Sequence, residues 1–325
     1  MLKKMITAFL LMGIFIFSSC SSQQPKPNRE KIKVLCTTQM IADAVKEIAL
    51  DKIEIDILIQ GEVDPHSYQL VKGDADRIKE AAIVFSNGLN LEHGASLKQA
   101  LASHSFCVSL GDQVYEKNPE KILKVDGELD PHIWMDITIW KEILEPIEKA
   151  LSQIMPDQKD LFSSNLVLTQ QKWLDLDLEI FQKMQSISPE KRYLVTSHDA
   201  FNYYSRRYLA TDQERKDNTW TSRFKAPEGL SPDGQIGPYD IKKILDHLSS
   251  HKIAVVFPES NVSLDSLKKI ISVAKAEGVK VVFAKEALFG DSMSGDQMSV
   301  SCYEDMMRHN SDVIANYLNT YHPTS

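Results

Sequence analysis

Residues 137–186 run without a single glycine, and the apolar residues inside them recur at helical spacing. Ile143, Leu144, Ile147, Leu151 and Ile154 make one face, after which Met155-Pro156-Asp157 restarts the pattern. Proline in a first turn followed by an acid is a helix-start signal, because its missing N–H is one the helix would leave unpaired. Leu161, Leu166, Leu168, Trp173, Leu176, Leu178 and Phe181 continue the apolar face, which predicts one helix from Asp157 to about Met184. At 1.5 Å per residue it would span about 42 Å, the reach of a whole domain. Two ordinary helices in one domain are the simpler alternative, but the missing glycine disfavours them. A helix this long restricts the fold to bodies arranged along a rigid spine.

Both sides of that spine carry the grammar of a parallel sheet. Before it, Lys33 to Cys36, Ile53 to Ile59, Ala82 to Phe85 and Phe106 to Leu110 are short β-rich runs separated by helical patterns. After it come Tyr193 to Thr196, Ala254 to Phe257 and Val279 to Phe283, each followed by a helical stretch. Strand–helix alternation of this kind argues α/β layers. Roughly 295 folded residues suit two domains better than one. The expected fold class is therefore α/β, two domains with parallel sheets joined by one long backbone helix. The expected segments are a signal peptide over 1–19, a tether over 20–30, an N-terminal domain over 31–136, a helical segment over 137–189 and a C-terminal domain over 190–325. The absence of a short-period repeat excludes solenoids.

Met1 to Ser19 reads as a secretory signal: Lys3 and Lys4 precede an apolar run from Met5 to Phe17, too short for a membrane span. Phe17-Ser18-Ser19-Cys20 resembles a bacterial lipobox, with phenylalanine where leucine is usual. Cys20 is thus the expected lipidation site and residue one of the mature chain, its acyl chains anchoring it at about 0.8 kcal/mol per buried methylene. A secreted protein with Cys20 as a spectator is the plainer alternative. Ser21 to Arg29, polar and proline-bearing, reads as tether. Removing residues 1–19 takes away two lysines and no acids, so the net charge goes from −8 to −10. No basic stripe suits nucleic acid, and an acidic surface mildly favours cations. Cys36, Cys107 and Cys302 are widely spaced without a CxxC, which disfavours a thiolate metal site and permits at most one disulfide. Cys36 reads as a small buried side chain.

Within this exported α/β frame, Asp-Pro-His occurs twice, at residues 64–66 and 130–132, among only nine histidines. Proline fixes its own φ and restricts the residue before it, so the tripeptide is a stiff turn presenting an imidazole at a set angle. One copy would be an ordinary Asp-Pro turn; two copies, with His198 ending a predicted strand, read as metal ligands held on pre-ordered loops. His66 follows the strand Ile53 to Ile59, His132 lies in a loop after the fourth strand, and His198 follows Tyr193 to Thr196 directly. Ligands in open α/β sheets bind beyond the carboxyl ends of strands, so these groups should converge in a cleft between the domains. The best carboxylate is Asp291, beside Gly290 and Ser292, with an Asx-turn or helix cap as its ordinary alternative. Glu259, after Phe257-Pro258, is the next candidate, either as a ligand or as a group behind one.

The chain resembles the cluster A-I, TroA-like metal-binding lipoproteins of bacterial ABC importers. The resemblance covers Lys31 to about Leu318. It rests on Asp64-Pro65-His66-Ser67-Tyr68, Asn87-Gly88-Leu89-Asn90-Leu91-Glu92, residues 130–136 (DPHIWMD), residues 196–201 (TSHDAF), Phe257-Pro258-Glu259 and residues 288–292 (LFGDS). It implies two α/β domains on one backbone helix and a buried metal held by His66, His132, His198 and Asp291. It also implies a monomeric receptor that delivers its ion to an ABC permease and its ATPase. Two departures stand out. Gly111 to Leu129 contains no histidine, unlike the His-rich loop of zinc-dedicated relatives, and residues 210–237 are longer and more charged than is usual, which would reshape the cleft rim or the permease-facing surface.

Three imidazoles and a carboxylate form a borderline donor set that accepts zinc, manganese or iron. Four protein ligands leave no tetrahedral position for an activating water, so reversible capture rather than catalysis is expected. A secreted metallohydrolase with Asp291 as base is the alternative from another class, disfavoured by the absence of HExxH and of a Ser-His-Asp or glycine-elbow motif. A surface adhesin stabilised by its metal is a third.

Overall fold

The computed structural model describes residues 31–232, 236–293 and 300–321. The expected signal segment, Cys20 and the tether lie outside the described residues. From Lys31 onward the chain forms one compact unit.

The first sheet is centred on the apolar runs Val34 to Cys36 and Ile83 to Phe85, buried on both faces, while Ile53 to Ile57 alternates apolar and acidic residues at its edge. Strand β1 (Ile32–Cys36) is central, followed by α1 (Gln39–Ala49), β2 (Ile53–Ile57), α2 (Asp74–Glu80), β3 (Ile83–Ser86), α3 (Ala95–Ser103), β4 (Cys107–Ser109) and α4 (Leu110–Lys117). The strands are all parallel in the order β2-β1-β3-β4, with Val34 opposite both Ile55 and Ile83. Cys36 is fully buried at the end of β1, and no cysteine among the described residues is paired.

A two-residue hairpin, β5 (Lys124–Val125) and β6 (Glu128–Leu129), comes next. Asp126 and Gly127 both take positive φ, 51° and 93°, the Asp-Gly chemistry of a tight hairpin turn. His132 was expected in the loop after the fourth strand. Instead α4, a 3-10 turn and this hairpin intervene, because Asp-Gly reverses the chain just before Asp130.

The glycine-free stretch is helical throughout but broken: α5 (Ile137–Trp140), a 3-10 turn, α6 (Leu144–Ile154), a second 3-10 turn at Pro156–Gln158, and α7 (Lys159–Gln185). Helix α7 has 27 residues, about 40 Å. Phe162, Thr169, Trp173, Leu176, Asp177, Ile180 and Met184 are its buried face. Leu168 and Leu178, expected on that face, are 68% and 52% exposed. At about 100° per residue each lies about 140° around the helix from Trp173, so the two cannot share its side.

The second body repeats the alternation: β7 (Leu194–Val195), α8 (Asn202–Tyr204), α9 (Asp212–Asp217), β8 (Phe224–Lys225), α10 (Pro238–Ser250), β9 (Val255–Val256), α11 (Asp265–Ala276), β10 (Val282–Phe283) and α12 (Tyr303–Thr320). Strand β7 pairs with β8 and β9 with β10, all parallel, and Phe257 N–H donates to Val195 O at 2.8 Å, tying the pairs together. Within the charged 210–237 segment lie α9, a 3-10 turn at Trp220–Arg223 and β8, held together by the Arg223–Glu214 ion pair.

Helix α7 is fastened to chain on either side of it in the sequence. Asn165 donates to Ile48 O at 2.8 Å at one end, and Asp177 accepts from Arg207 Nε and Tyr208 OH, each at 2.9 Å, towards the other. A second tie was not foreseen. The start of helix α12 returns to α1 and α7, where Tyr303 N–H donates to Asp43 at 2.8 Å and Trp173 Nε1 donates to Glu304 at 3.1 Å. Every partner in these ties is wholly or partly buried, where an unmade bond is costly.

Candidate metal centre

Three of the four expected ligands gain their position from short polar turns. Asp64 accepts from His66 N–H at 2.8 Å and from Ser67 OH at 2.6 Å, closing the first Asp-Pro-His turn. In the second copy Asp130 accepts from His132 N–H at 3.0 Å and also stands 2.7 Å from His132 Nδ1. The repeats therefore diverge: Asp64 shapes only the loop, whereas buried Asp130 also orients the imidazole. Asp130 is itself held by Asn202 at 3.0 Å, and Tyr203 OH donates to its backbone oxygen at 2.9 Å.

His198 follows β7 in a turn in which Thr196 OH donates to His198 O at 2.8 Å. Glu259 accepts from His198 N–H at 2.9 Å and places its other oxygen 2.7 Å from Nδ1. Glu259, considered both as a ligand and as a support, stands behind His198. Asp291 sits beyond β10 in a loop anchored by Asn310, which accepts from Phe289 N–H at 2.9 Å and donates to Phe289 O at 2.8 Å. Gly290 is needed there: a Cβ would fall on the Glu259 carboxylate and 3.2 Å from His198 Cε1.

These turns bring His66, His132, His198 and Asp291 together, one donor atom from each lying within 4.8 Å of every other. All four are buried. His66 Nε2 is 3.3 Å from His132 Nε2 and 3.7 Å from Asp291 Oδ2; His132 Nε2 is 3.2 Å from Asp291 Oδ1; His198 Nε2 is 2.9 Å from Asp291 Oδ2. Donors on a tetrahedral ion at bond lengths of about 2.0–2.1 Å stand about 3.3–3.4 Å apart, so these separations bracket that geometry. His198 Nε2 and Asp291 Oδ1 are buried without a hydrogen bond among the described residues. Buried polar atoms left without a hydrogen bond and facing one point suit a cation.

The electrostatics divide the three imidazoles. Burial, with the neighbouring His132 and His198, pushes His66 down to about 3 despite Asp291. Burial also opposes charge on His132, but Asp130 and Asp291 outweigh it and lift the group to about 9. His198 is buried too, yet Asp291 and Glu259 raise it well above its ordinary value. Burial would raise Asp291, but the two imidazoles facing it hold it well below the usual carboxylate range. Protons therefore occupy this centre in the metal-free protein.

Several supporting residues carried weak signals. Glu92 was legible only as a motif member; it accepts from Thr37 OH, Asn87 N–H and Gly88 N–H at 2.6, 2.7 and 3.0 Å. Asn87 in turn donates to Pro131 O at 3.0 Å, gripping the second Asp-Pro-His turn. Trp134 Nε1 donates to Gly290 O at 2.9 Å, and Tyr303 OH donates to Trp134 O at 2.7 Å. The 210–237 segment reaches this region through Gly229 O, which accepts from Asp199 N–H at 3.1 Å beside His198.

Residues 34–317 match the family described as zinc-uptake complex component A, periplasmic. The chain is 39% identical over 284 residues to the metal-binding protein YtgA of Chlamydia muridarum, covering 87% of each. It is 30% identical to the manganese-binding lipoprotein MntA of Bacillus subtilis, covering 96% of this chain and 98% of that one. The crystal structure of Fe(III)-bound YtgA from Chlamydia trachomatis superimposes with a TM-score of 0.83 at 36% identity, covering 90% of this chain and all of that one.

Proposed function

Because the chain belongs to the periplasmic zinc-uptake component A family, whose members are metal-binding receptors of ABC importers, we propose that it captures one transition-metal ion on His66, His132, His198 and Asp291 and delivers it to a permease. The observation that carries this reading is the convergence of four buried donors at a single point, with polar atoms left without a hydrogen bond there. With Nδ1 engaged by Asp130 or Glu259, His132 and His198 each offer a lone pair on Nε2 once deprotonated, the form a metal requires.

The donor set suits zinc, manganese and iron alike. Intrinsic affinity would favour zinc over manganese and ferrous iron, so the ion carried is set by geometry and supply. Relatives named for manganese and bound to Fe(III) support that breadth. The partners are a permease and its ATPase, and the receptor works as a monomer. Cys20 is the lipid anchor, in keeping with the lipoprotein MntA, and it holds the exported protein at the membrane surface. Among the described residues no helix is long and apolar enough to cross a membrane. Residues 31–136 and 190–325 are the two bodies, with 137–189 between them.

The test is metal analysis of protein purified from its host's envelope, beside His132→Ala and Asp291→Ala. One equivalent of a transition metal in the parent and none in the variants is expected. Unchanged stoichiometry in the variants would overturn the site. For the anchor, Cys20→Ser should move the protein from the membrane fraction to the soluble one, and retention would overturn it.

A further inference from the structure

The four ligands are so deeply buried that an ion cannot meet them all at once, and one of them differs from the rest. His132 and His198 are each oriented by a carboxylate behind the ring. His66 has no such support: among the described residues nothing hydrogen-bonds its Nδ1, and Nε2 faces the site alone. It is the least tethered donor.

Beside it stands a fourth histidine. The rings of His93 and His66 are 5.6 Å apart, close to the 5.3 Å between His66 and His132 and the 5.4 Å between His132 and His198. His93 is half-buried, so of the four rings it is the one that solvent reaches most readily. Its Nδ1 is 3.1 Å from Asn90 O, which can only accept a hydrogen bond, so Nδ1–H donates there and the lone pair is on Nε2. No hydrogen bond among the described residues uses that Nε2.

The segment holding His93 is built to stay in place. Leu89 and Asn90 take positive φ, 51° and 64°, a conformation uncommon for leucine. Glu92 pins the segment's start through Asn87 and Gly88, Leu91 N–H donates to Gly88 O, and His93 N–H donates to Leu91 O, both at 3.0 Å. His93 is thus a more exposed imidazole on an ordered turn, in ring contact with the loosely held member of a cluster of three.

We propose that His93 is a transient metal ligand: an incoming divalent transition-metal ion binds its Nε2 first and passes to His66, and a departing ion retraces the same step. This rests on the metal-receptor reading above. A way station lowers the barrier in both directions and leaves the end states untouched, so removing it must slow loading and release by the same factor.

The experiment uses the detergent-solubilised full chain and Co²⁺, whose visible absorbance reports the coordinated ion. His93→Phe keeps a ring beside His66 and removes the ligand; His93→Gln removes the ring and serves if the first variant folds poorly. Loading by stopped flow and release into excess chelator should both slow about tenfold, with the dissociation constant changed less than twofold. His93→Asp, which restores a ligand, should recover most of the rate. An unchanged loading rate, or a weaker dissociation constant arising from faster release alone, would overturn the role of His93. Failure of the parent chain to bind one Co²⁺ would instead overturn the site itself.

Discussion

Trp134 Nε1 donates to the backbone oxygen of Gly290 at 2.9 Å, joining the turn just past His132 to the residue just before Asp291. The bond connects the turn after the second Asp-Pro-His to the loop beyond β10. Its acceptor shares a crowded corner with Glu259 and His198, where no Cβ fits.

Trp134→Phe keeps most of the buried ring and leaves Gly290 O without its donor. A cost of about 1–2 kcal/mol is expected, which weakens metal binding roughly tenfold. Faster release should account for it. Chelator competition with circular dichroism as a fold control checks this, and an unchanged dissociation constant would show that the bond does not hold the two ligands together.

Glu259→Gln retains the shape behind His198 but loses the charge facing Nδ1. Metal affinity should fall about 10- to 100-fold with the fold preserved. Gly290→Ala should do at least as much damage by displacing Glu259. Isothermal titration of both variants reads the effect; a Gly290→Ala protein as tight as the parent would mean that corner is roomier than described.

His66→Ala and His132→Ala should both abolish tight binding. They are expected to differ in the metal-free state, because only His132 has a buried carboxylate behind it. Removing His132 leaves Asp130 facing an empty space, so thermal stability should drop further there than in His66→Ala. Equal melting temperatures for the two variants would contradict the different roles assigned to the two Asp-Pro-His turns.

The pH dependence follows from His132 and His198, both lifted above their ordinary value, His132 to about 9. An ion must displace these protons, so affinity should keep rising with pH towards about 9 instead of levelling off near the free-histidine value of about 6.5. For the metal-free protein the sign is opposite. A raised folded pKa contributes stability that is complete below about 6.5 and lost as pH climbs through about 9. Titrations at pH 7 in buffers of different ionisation heat should show proton release, and metal-free melting temperatures should decline between pH 7 and 9. No proton release would count against this distribution of protons.

Metal should raise thermal stability by about 4 kcal/mol at a thousandfold excess over its dissociation constant. The radius of gyration should change little, because α7 and α12 tie the two bodies at separate points. A large contraction on loading, measured by scattering, would point to a hinge.

Much of the site was legible because its chemistry is local. Asp-Pro-His is a stiff turn wherever it occurs, and His198 and Asp291 follow strand patterns readable from a few neighbours. The spine was legible for the same reason: helical spacing and the lack of glycine are short-range signals. What escaped depends on partners far along the chain. Nothing near Asp64 or Asp130 says that only the second meets an imidazole, since that depends on Asn202 and Tyr203 closing over it. Leu168 and Leu178 match the apolar composition of α7 but not the angle of its buried face. Nothing in the leucine-rich neighbourhood of His93 tells that its ring ends beside His66.

The contact between Tyr303 and Asp43 joins residues 260 positions apart. It gathers everything between them, including every described strand but β1 and all four site residues, into one closed circuit of chain. Neither body can come apart without pulling on that closure, so the two lack separate melting events. Heat or denaturant should meet a single cooperative transition, and the ion should be lost all at once, at the same point as the fold.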